Sequence, residues 1–245
     1  MTNFFAITWS LITILMPLQL CRASQKDAVA IAHVKDALWP EEATAPDYIA
    51  EVLQQPDHHT ILAIYEGQVV GFVDGFLSLS ASGQRRWEVD LLGVEPAYWG
   101  QGIGTQLVEA ATQAGQEMKA EIARGLVATA NIGSQRAFMK AGYRVEERPL
   151  NLWVWARDSN QASITSKQLS PSSYLIPVVT FNYQGTWLEG EISVASMQAA
   201  QAICARLGWA VTGTLIDIEE HVLNEATQAL GYFFVNQFQW WHCAL

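Results

Sequence analysis

The sequence predicts an α/β (α+β) fold: a mixed, mostly antiparallel central sheet flanked by helices. Three observations point to it. Apolar runs at 60–65, 68–79 and 85–94 follow one another across the turn signals Glu66-Gly67 and Ser80-Ala81-Ser82-Gly83, as an antiparallel meander does. Immediately afterwards Ile103, Leu107, Ala111, Ala114 and Met118 recur at helical spacing. Half of the 245 residues are hydrophobic and only 16% are charged, so a sizeable core is expected.

The remaining elements follow in order. Leu18 to Arg22 alternates as a short strand. Ser24 is a candidate helix N-cap with Asp27 at capping-box spacing, and Ala28, Ile31, Ala32, Val34 and Leu38 carry one helical face up to Pro40. A second helix over 46–55 turns Tyr48, Ile49, Val52 and Leu53 inward. After the helix that begins at Ile103, a short strand at 125–130 ends on Asn131, and a helix over 134–141 closes on Gly142, a C′ glycine. Strands are expected at 143–147 and 150–155. The serine-rich stretch 158–173 lacks periodicity and reads as a linker. Beyond it, strand segments around Gly185 and Gly190, a helix through Met197, Ala200, Cys204 and Leu207, a strand at 210–218 and a helix through Val222 and Leu230 repeat the earlier order. The ending A-L-G-Y-F-F-V echoes K-A-G-Y-R-V at 140–145. A degenerate internal duplication accounts for this; common α/β patterning is the alternative. The division expected is a domain at 16–157, a linker at 158–173 and a half domain at 174–245.

The N-terminus is read as an extension. Residues 4–20 are apolar but interrupted by Thr8, Ser10, Thr13, Pro17 and Gln19, without the basic flank of a signal peptide. Met16 is the expected start, 1–15 an extension of doubtful status, and a membrane anchor the alternative. A net charge of −10 argues against nucleic acid or anionic membrane as a partner. Cys21, Cys204 and Cys243 are odd in number and show no metal spacing, as reduced thiols of a cytoplasmic protein would.

The stretch W-E-V-D-L-L-G-V-E-P-A-Y-W-G-Q-G-I-G-T at 87–105 carries the chemistry. Glycines at 100, 102 and 104 let the backbone turn consecutive N–H groups toward one point, and the helix that follows adds unpaired N–H groups and the positive end of its dipole. Such a turn cradles a phosphate. A glycine turn between strand and helix is also a common structural device, so the feature alone is weak. The dinucleotide fingerprint does not fit: the spacing is G-x-G-x-G, and the turn follows a meander instead of a first parallel strand.

The stretch, taken with N-I-G-S-Q-R-A-F-M-K-A-G-Y at 131–143, resembles the GCN5-related N-acetyltransferase (GNAT) superfamily, whose acetyl-CoA motif is Q/R-x-x-G-x-G/A. The resemblance covers about residues 16–157. Trp99 stands at the motif's first position, a departure expected to weaken one diphosphate contact. The resemblance implies a GNAT-like (acyl-CoA N-acyltransferase) fold and acetyl transfer from acetyl-CoA, as co-substrate, to a primary amine by direct attack. It places the CoA pyrophosphate on the amides of Gln101, Gly102, Ile103, Gly104 and Thr105. It places the pantetheine arm and thioester carbonyl on the backbone of Leu92 and Val94, and it puts Asn131 beside the thiol. Asn131 could equally be a helix N-terminal residue bonding its own backbone. The position seven beyond it, often a tyrosine acid in this family, is Phe138, which joins the cofactor-binding set.

Glu88 is the candidate base, six residues before Val94, and Asp90 the weaker candidate; in an unbroken strand Glu88, Asp90 and Leu92 share a face. Either carboxylate would serve if burial raised its pKa, and either could be a plain solvated strand residue. His58 and His59 read as exposed loop residues, and no metal is expected. Trp153, Trp155, Trp187, Trp240 and Trp241 read as core or as an interface between the halves. The partner implied is a small-molecule or peptide amine, in a homodimer or an intrachain pseudo-dimer. The alternative is a non-catalytic acyl-CoA-binding or regulatory module.

Overall fold

The computed structural model describes residues 18–157 and 169–245. The expected extension at 1–15, the start at Met16 and most of the 158–173 linker lie outside the described residues.

The first portion begins with strand β1 (Gln19–Arg22), helix α1 (Ala28–Leu38) and helix α2 (Pro46–Val52), then the strands β2 (Ile61–Tyr65), β3 (Gln68–Leu79) and β4 (Arg85–Val94). Ser24 starts the first helical turn as expected, its backbone N–H donating to the Asp27 carboxylate at 2.8 Å. Helix α3 (Ile103–Glu117), β5 (Ile122–Ala128), helix α4 (Ile132–Lys140), a two-residue β6 (Arg144–Val145) and β7 (Leu150–Ala156) complete it. The second portion runs β8 (Ser173–Val179), β9 (Gln184–Gly190), α5 (Val194–Leu207), β10 (Val211–Asp217), α6 (His221–Ala229) and β11 (Phe233–Ala244). Strand β8 thus begins inside the expected linker, and the strand expected at 143–147 keeps only Arg144 and Val145.

All of these strands join one sheet, ordered β1-β2-β3-β4-β5-β11-β7-β10-β9-β8, with β6 attached to β11. The order reveals a reciprocal exchange. Strand β11 closes the second portion in sequence yet pairs antiparallel with β5, from Phe238 opposite Ala128 to Ala244 opposite Ile122. Strand β7 closes the first portion yet pairs antiparallel with β10, from Leu150 opposite Asp217 to Ala156 opposite Val211. The two exchanged strands lie side by side at the centre. Each portion contributes one parallel pair, β4 with β5 and β9 with β10.

Alternation along the strands distributes the core. Ile61, Ala63, Val73, Trp87 and Val89 face α3 and α4, whereas Leu62 and Phe72 face α1 and α2. Trp87 is fully buried between two glycines: a Cβ at Gly75 would come within 2.5 Å of its ring and one at Gly115 within 2.7 Å. A separate core of Trp153, Trp155, Leu188, Met197 and Ile216 lies under α5 and α6. The sheet curls so that Ile176 and Val178 of β8 meet Phe76 of β3, and Phe181, beyond β8, inserts between Phe72 and the α1–α2 layer.

Candidate functional site

The site is organised by where β4 parts from its neighbours. Parallel pairing with β5 ends at Val89 opposite Gly125, while β4 continues to pair with β3 up to Val94 opposite Gly71. Glu95 N–H donates to the Val70 carbonyl at 2.9 Å, so alternation turns the backbone groups of Leu92 and Val94 away from β3, toward the gap left by β5. Tryptophan 99 takes an unexpected part here. Instead of reaching toward the glycine turn, its indole N–H folds back to donate to the Val94 carbonyl at 2.6 Å.

Below the gap lies the glycine turn. Gly100 and Gly102 have φ of +76° and +81°, a region costly for side-chain-bearing residues, and a Cβ at either would meet no atom within 4 Å. Gly102 is the N-cap of α3 and offers no capping side chain. The first intrahelical bond there runs from Gln106 N–H to Gly102 O, so the amides of Ile103, Gly104 and Thr105 lack helical partners. Gln101 is exposed beside them, whereas the Ile103 side chain is buried and anchors the turn. This is an open concentration of N–H donors at a helix N-terminus, and it fits a diphosphate. The equivalent helix of the second portion is closed: Ser193 Oγ accepts from Ser196 N–H at 3.2 Å, and Ser193 N–H donates to Ser196 Oγ at 2.9 Å. Side chains there take the place an anion would need.

Asn131 caps α4, its Oδ1 accepting from Ser134 N–H at 3.0 Å. Its amide NH2 is the group left to face a ligand. Phe138 is 3% exposed, with its ring against Gly125, where a Cβ would fall 2.4 Å from Phe138 Cε1, and against Tyr143 and Trp241. Tyr143 is equally buried and hydrogen-bonds Thr112 Oγ1 at 2.8 Å. Burial pushes its phenol well above the ordinary value.

The two candidate acids differ sharply. Glu88 is buried, accepts from Ser78 Oγ at 2.5 Å, and receives Arg124 Nε on both oxygens at 3.0 and 2.8 Å. Arg124 Nη2 continues to Glu189 at 2.6 Å, and Arg86 Nη1 reaches the same carboxylate at 2.9 Å. The result is a balanced quartet of two arginines and two glutamates. Burial raises the Glu189 pKa, but the adjoining Arg124 and Arg86 outweigh it and hold the carboxyl below its usual range. Asp90 has no such partner among the described residues. A bulge sets Asp90 and Leu91 together against Asp74, so the face expected to carry Glu88, Asp90 and Leu92 is broken. The Asp90 side chain is exposed to solvent at the bulge, with the charges of Asp74, His58 and Glu88 near it. Desolvation, then the charge of Asp74, with a smaller contribution from Glu88, push its pKa up to about 7 against the opposing charge of His58.

His58, expected in an exposed loop, is 3% exposed. Its Nδ1 lies 3.2 Å from Asp74 Oδ2, its ring stacks on Phe76, and Thr60 Oγ1 donates to Asp74 Oδ1 at 2.6 Å. The second portion adds Tyr183, whose phenol is pushed up by burial and then by the charge of Asp90. An acid in the middle of V-V-G-F-V-D-G-F was the available signal, because a charge in an apolar strand is seldom buried without a partner.

A cavity of about 230 Å³ lies elsewhere, where β9 and β10 part after Leu188 opposite Thr214. Arg124, Trp187, Glu189, Leu215 and Trp240 line it, with the Arg124 guanidinium 4.1 Å above the Trp240 ring. It is the second portion's counterpart of the β4–β5 gap, roofed by residues of the first. Trp187 and Trp240 thus stand at the seam, and Trp153, Trp155 and Trp241 in the core. Among the described residues no His, Cys, Asp or Glu cluster could hold a metal, the cysteines are free, and no helix is long and apolar enough to cross a membrane.

A family model for the acetyltransferase (GNAT) family matches residues 27–143. No curated protein matches the chain. Solved structures do. A GCN5-related N-acetyltransferase from Sphaerobacter thermophilus is similar over 93% of this chain and 95% of its own, at 13% identity and a TM-score of 0.55. A Pyrococcus horikoshii protein described as an acetyltransferase matches over 100% of this chain and 94% of its own, at 14% identity and a TM-score of 0.58. The GCN5-related glucosamine N-acetyltransferase region of a fungal multi-domain β-N-acetylglucosaminidase reaches a TM-score of 0.61 at 12% identity, over 93% of this chain but 38% of that one. At such identities the likeness is one of fold, and it extends through the exchanged strands. The domain match and the fold agree: over residues 27–143 this chain carries an acetyltransferase domain of the GNAT family, whose members move an acyl group from acyl-CoA to an acceptor.

Proposed function

We propose that the protein is an N-acetyltransferase that moves an acetyl group from acetyl-CoA to a primary amine by direct attack, with Asp90 as the base. The observation that supports this best is the β4–β5 gap opening beside the uncapped N-terminus of α3. The amides of Gln101 to Thr105 would hold the pyrophosphate, the backbone of Leu92 and Val94 the pantetheine and thioester carbonyl, and the Asn131 amide the arm near the thiol. Acetyl-CoA supplies the activated acyl group; the N–H donors polarise its carbonyl. Asp90 takes the proton that an ammonium must lose, for which a group titrating near neutrality is suited. Glu88, held by Arg124 and Ser78, positions this part of the strand instead.

The domain at 16–157 would be the catalytic one and 174–245 a degenerate GNAT-like half making an intrachain pseudo-dimer, since the serine cap of α5 closes its anion position. A cytoplasmic setting accords with three free cysteines. The burial of Phe138 where many relatives carry a tyrosine acid favours a second reading, a non-catalytic acyl-CoA-binding module. Thiol release from acetyl-CoA with a panel of primary amines separates the two. Release above the amine-free rate with any member supports transfer; stabilisation by CoA without release from any amine supports the module.

A further inference from the structure

The cluster around Asp74 is left unused by the reading above. Asp74 is completely buried, and its two carboxylate oxygens are both engaged, Oδ2 by His58 Nδ1 and Oδ1 by Thr60 Oγ1. Burying a carboxylate costs several kcal/mol unless it is paired, so the imidazole and the hydroxyl are what keep Asp74 in the strand. With Nδ1 committed, His58 has only Nε2 left for proton exchange. The β4 bulge places Asp90 and Leu91 across from Asp74, between the Leu92–Val73 and Val89–Gly75 pairs.

We propose that the buried His58–Asp74 pair is the positioning unit that sets how firmly Asp90 holds a proton, so that protonation of Asp90 and of His58 is coupled. The inference rests on the reading of Asp90 as the base. The ammonium proton passes to an Asp90 oxygen as the amine lone pair is freed. The imidazolium of His58 favours the ionised form of Asp90, and the charge of Asp74 opposes it. Groups facing His58 are Asp57 in the same loop, Asp74 on β3 and Asp90 on β4; those facing Asp90 are Asp74, His58, Glu88 and, from beyond β8, Tyr183. Burial alone would push the imidazole down, but the hydrogen bond and charge of Asp74 raise it overall.

The direct test is an NMR titration of the full chain, following the His58 imidazole in the wild type and in Asp90→Asn. Asp90 is solvent-accessible, so this variant keeps the fold. Removing a facing negative charge lowers the His58 midpoint by about 0.5 unit or more, while His59 stays in place as the internal control. Because coupling is reciprocal, His58→Gln raises the Asp90 midpoint by the same amount. In thiol-release assays His58→Gln moves the rising limb of the pH–rate profile to higher pH, beyond what a merely structural loss of rate would do. A His58 midpoint unmoved in Asp90→Asn overturns the inference. The titration requires no acceptor, so an absence of thiol release would overturn the acetyltransferase reading while leaving the coupling to be judged on its own result.

Discussion

Arg124 Nη2 donates to Glu189 at 2.6 Å, an ion pair that ties β5 of the first portion to β9 of the second across the cavity. Both side chains are largely shielded, at 14% and 15% exposure, and Arg124 also carries Glu88. Removing Arg124 alone leaves two acids with a single remaining arginine. Arg124→Met should therefore cost about 3–5 kcal/mol of unfolding free energy in urea titration. Glu189→Gln should cost less, because it leaves Arg124 paired with Glu88.

The same network fixes a pH dependence. Glu189 has a lowered pKa when folded, so the unfolded chain binds more protons near and below its ordinary value of about 4.3. The stability it contributes is fully present above that value and is lost as pH falls through the lower folded pKa. Asp90 acts in the opposite sense. Its folded pKa of about 7 means that the folded state binds the extra proton, so stability declines as pH rises from the unfolded value, about 3.9, toward 7. Chemical denaturation in steps of pH should show a smaller decline over that interval in Asp90→Asn.

Phe138→Tyr tests whether restoring the family's acid is a matter of one hydroxyl. The ring is enclosed by Gly125, Tyr143 and Trp241, so an added hydroxyl has no water to bond. The variant should lose about 1–3 kcal/mol of stability and gain no thiol-release rate. A gain in rate at unchanged stability would show that the ring reaches the cleft.

Asp90→Asn should lower the rate of amine acetylation by about 10²- to 10⁴-fold and remove the rise of the pH–rate profile near 7. Glu88→Gln keeps the carbonyl that Arg124 Nε needs. Its rate should fall less, with the profile shifted but still rising. The reverse order would make Glu88 the base.

Much of this arrangement is legible in local sequence. The meander, with β3 at Gln68–Leu79 and β4 at Arg85–Val94, follows from alternation and turn signals, and Gly208 ends α5 in the left-handed conformation its position demands. Pairing partners are another matter. The exchange of β7 and β11 links residues 55 to 122 positions apart, and both strands carry similar aromatic patterns, so neither periodicity nor propensity distinguishes the exchanged order from the direct one. The same distance hides the Arg124–Glu189 pair and the approach of Tyr183 to Asp90. The burial of His58 is hidden for a related reason: it is decided by Asp74 and Phe76 on β3, not by the polar residues beside it in sequence. Trp99 fits a sequence motif position, yet its indole finds a nearer acceptor in the Val94 carbonyl.

On the proposed function, one cleft, the gap beside Gly102, takes the CoA moiety, while the Ser193-capped helix of the second portion does not. Calorimetric titration of the full chain with CoA tests it most directly, alongside Gly102→Glu, which adds both a side chain at φ +81° and a charge where the pyrophosphate would lie. A single site per chain is expected, abolished in Gly102→Glu while the variant's thermal unfolding remains cooperative. Two sites per chain, or binding that survives Gly102→Glu unchanged, would contradict it.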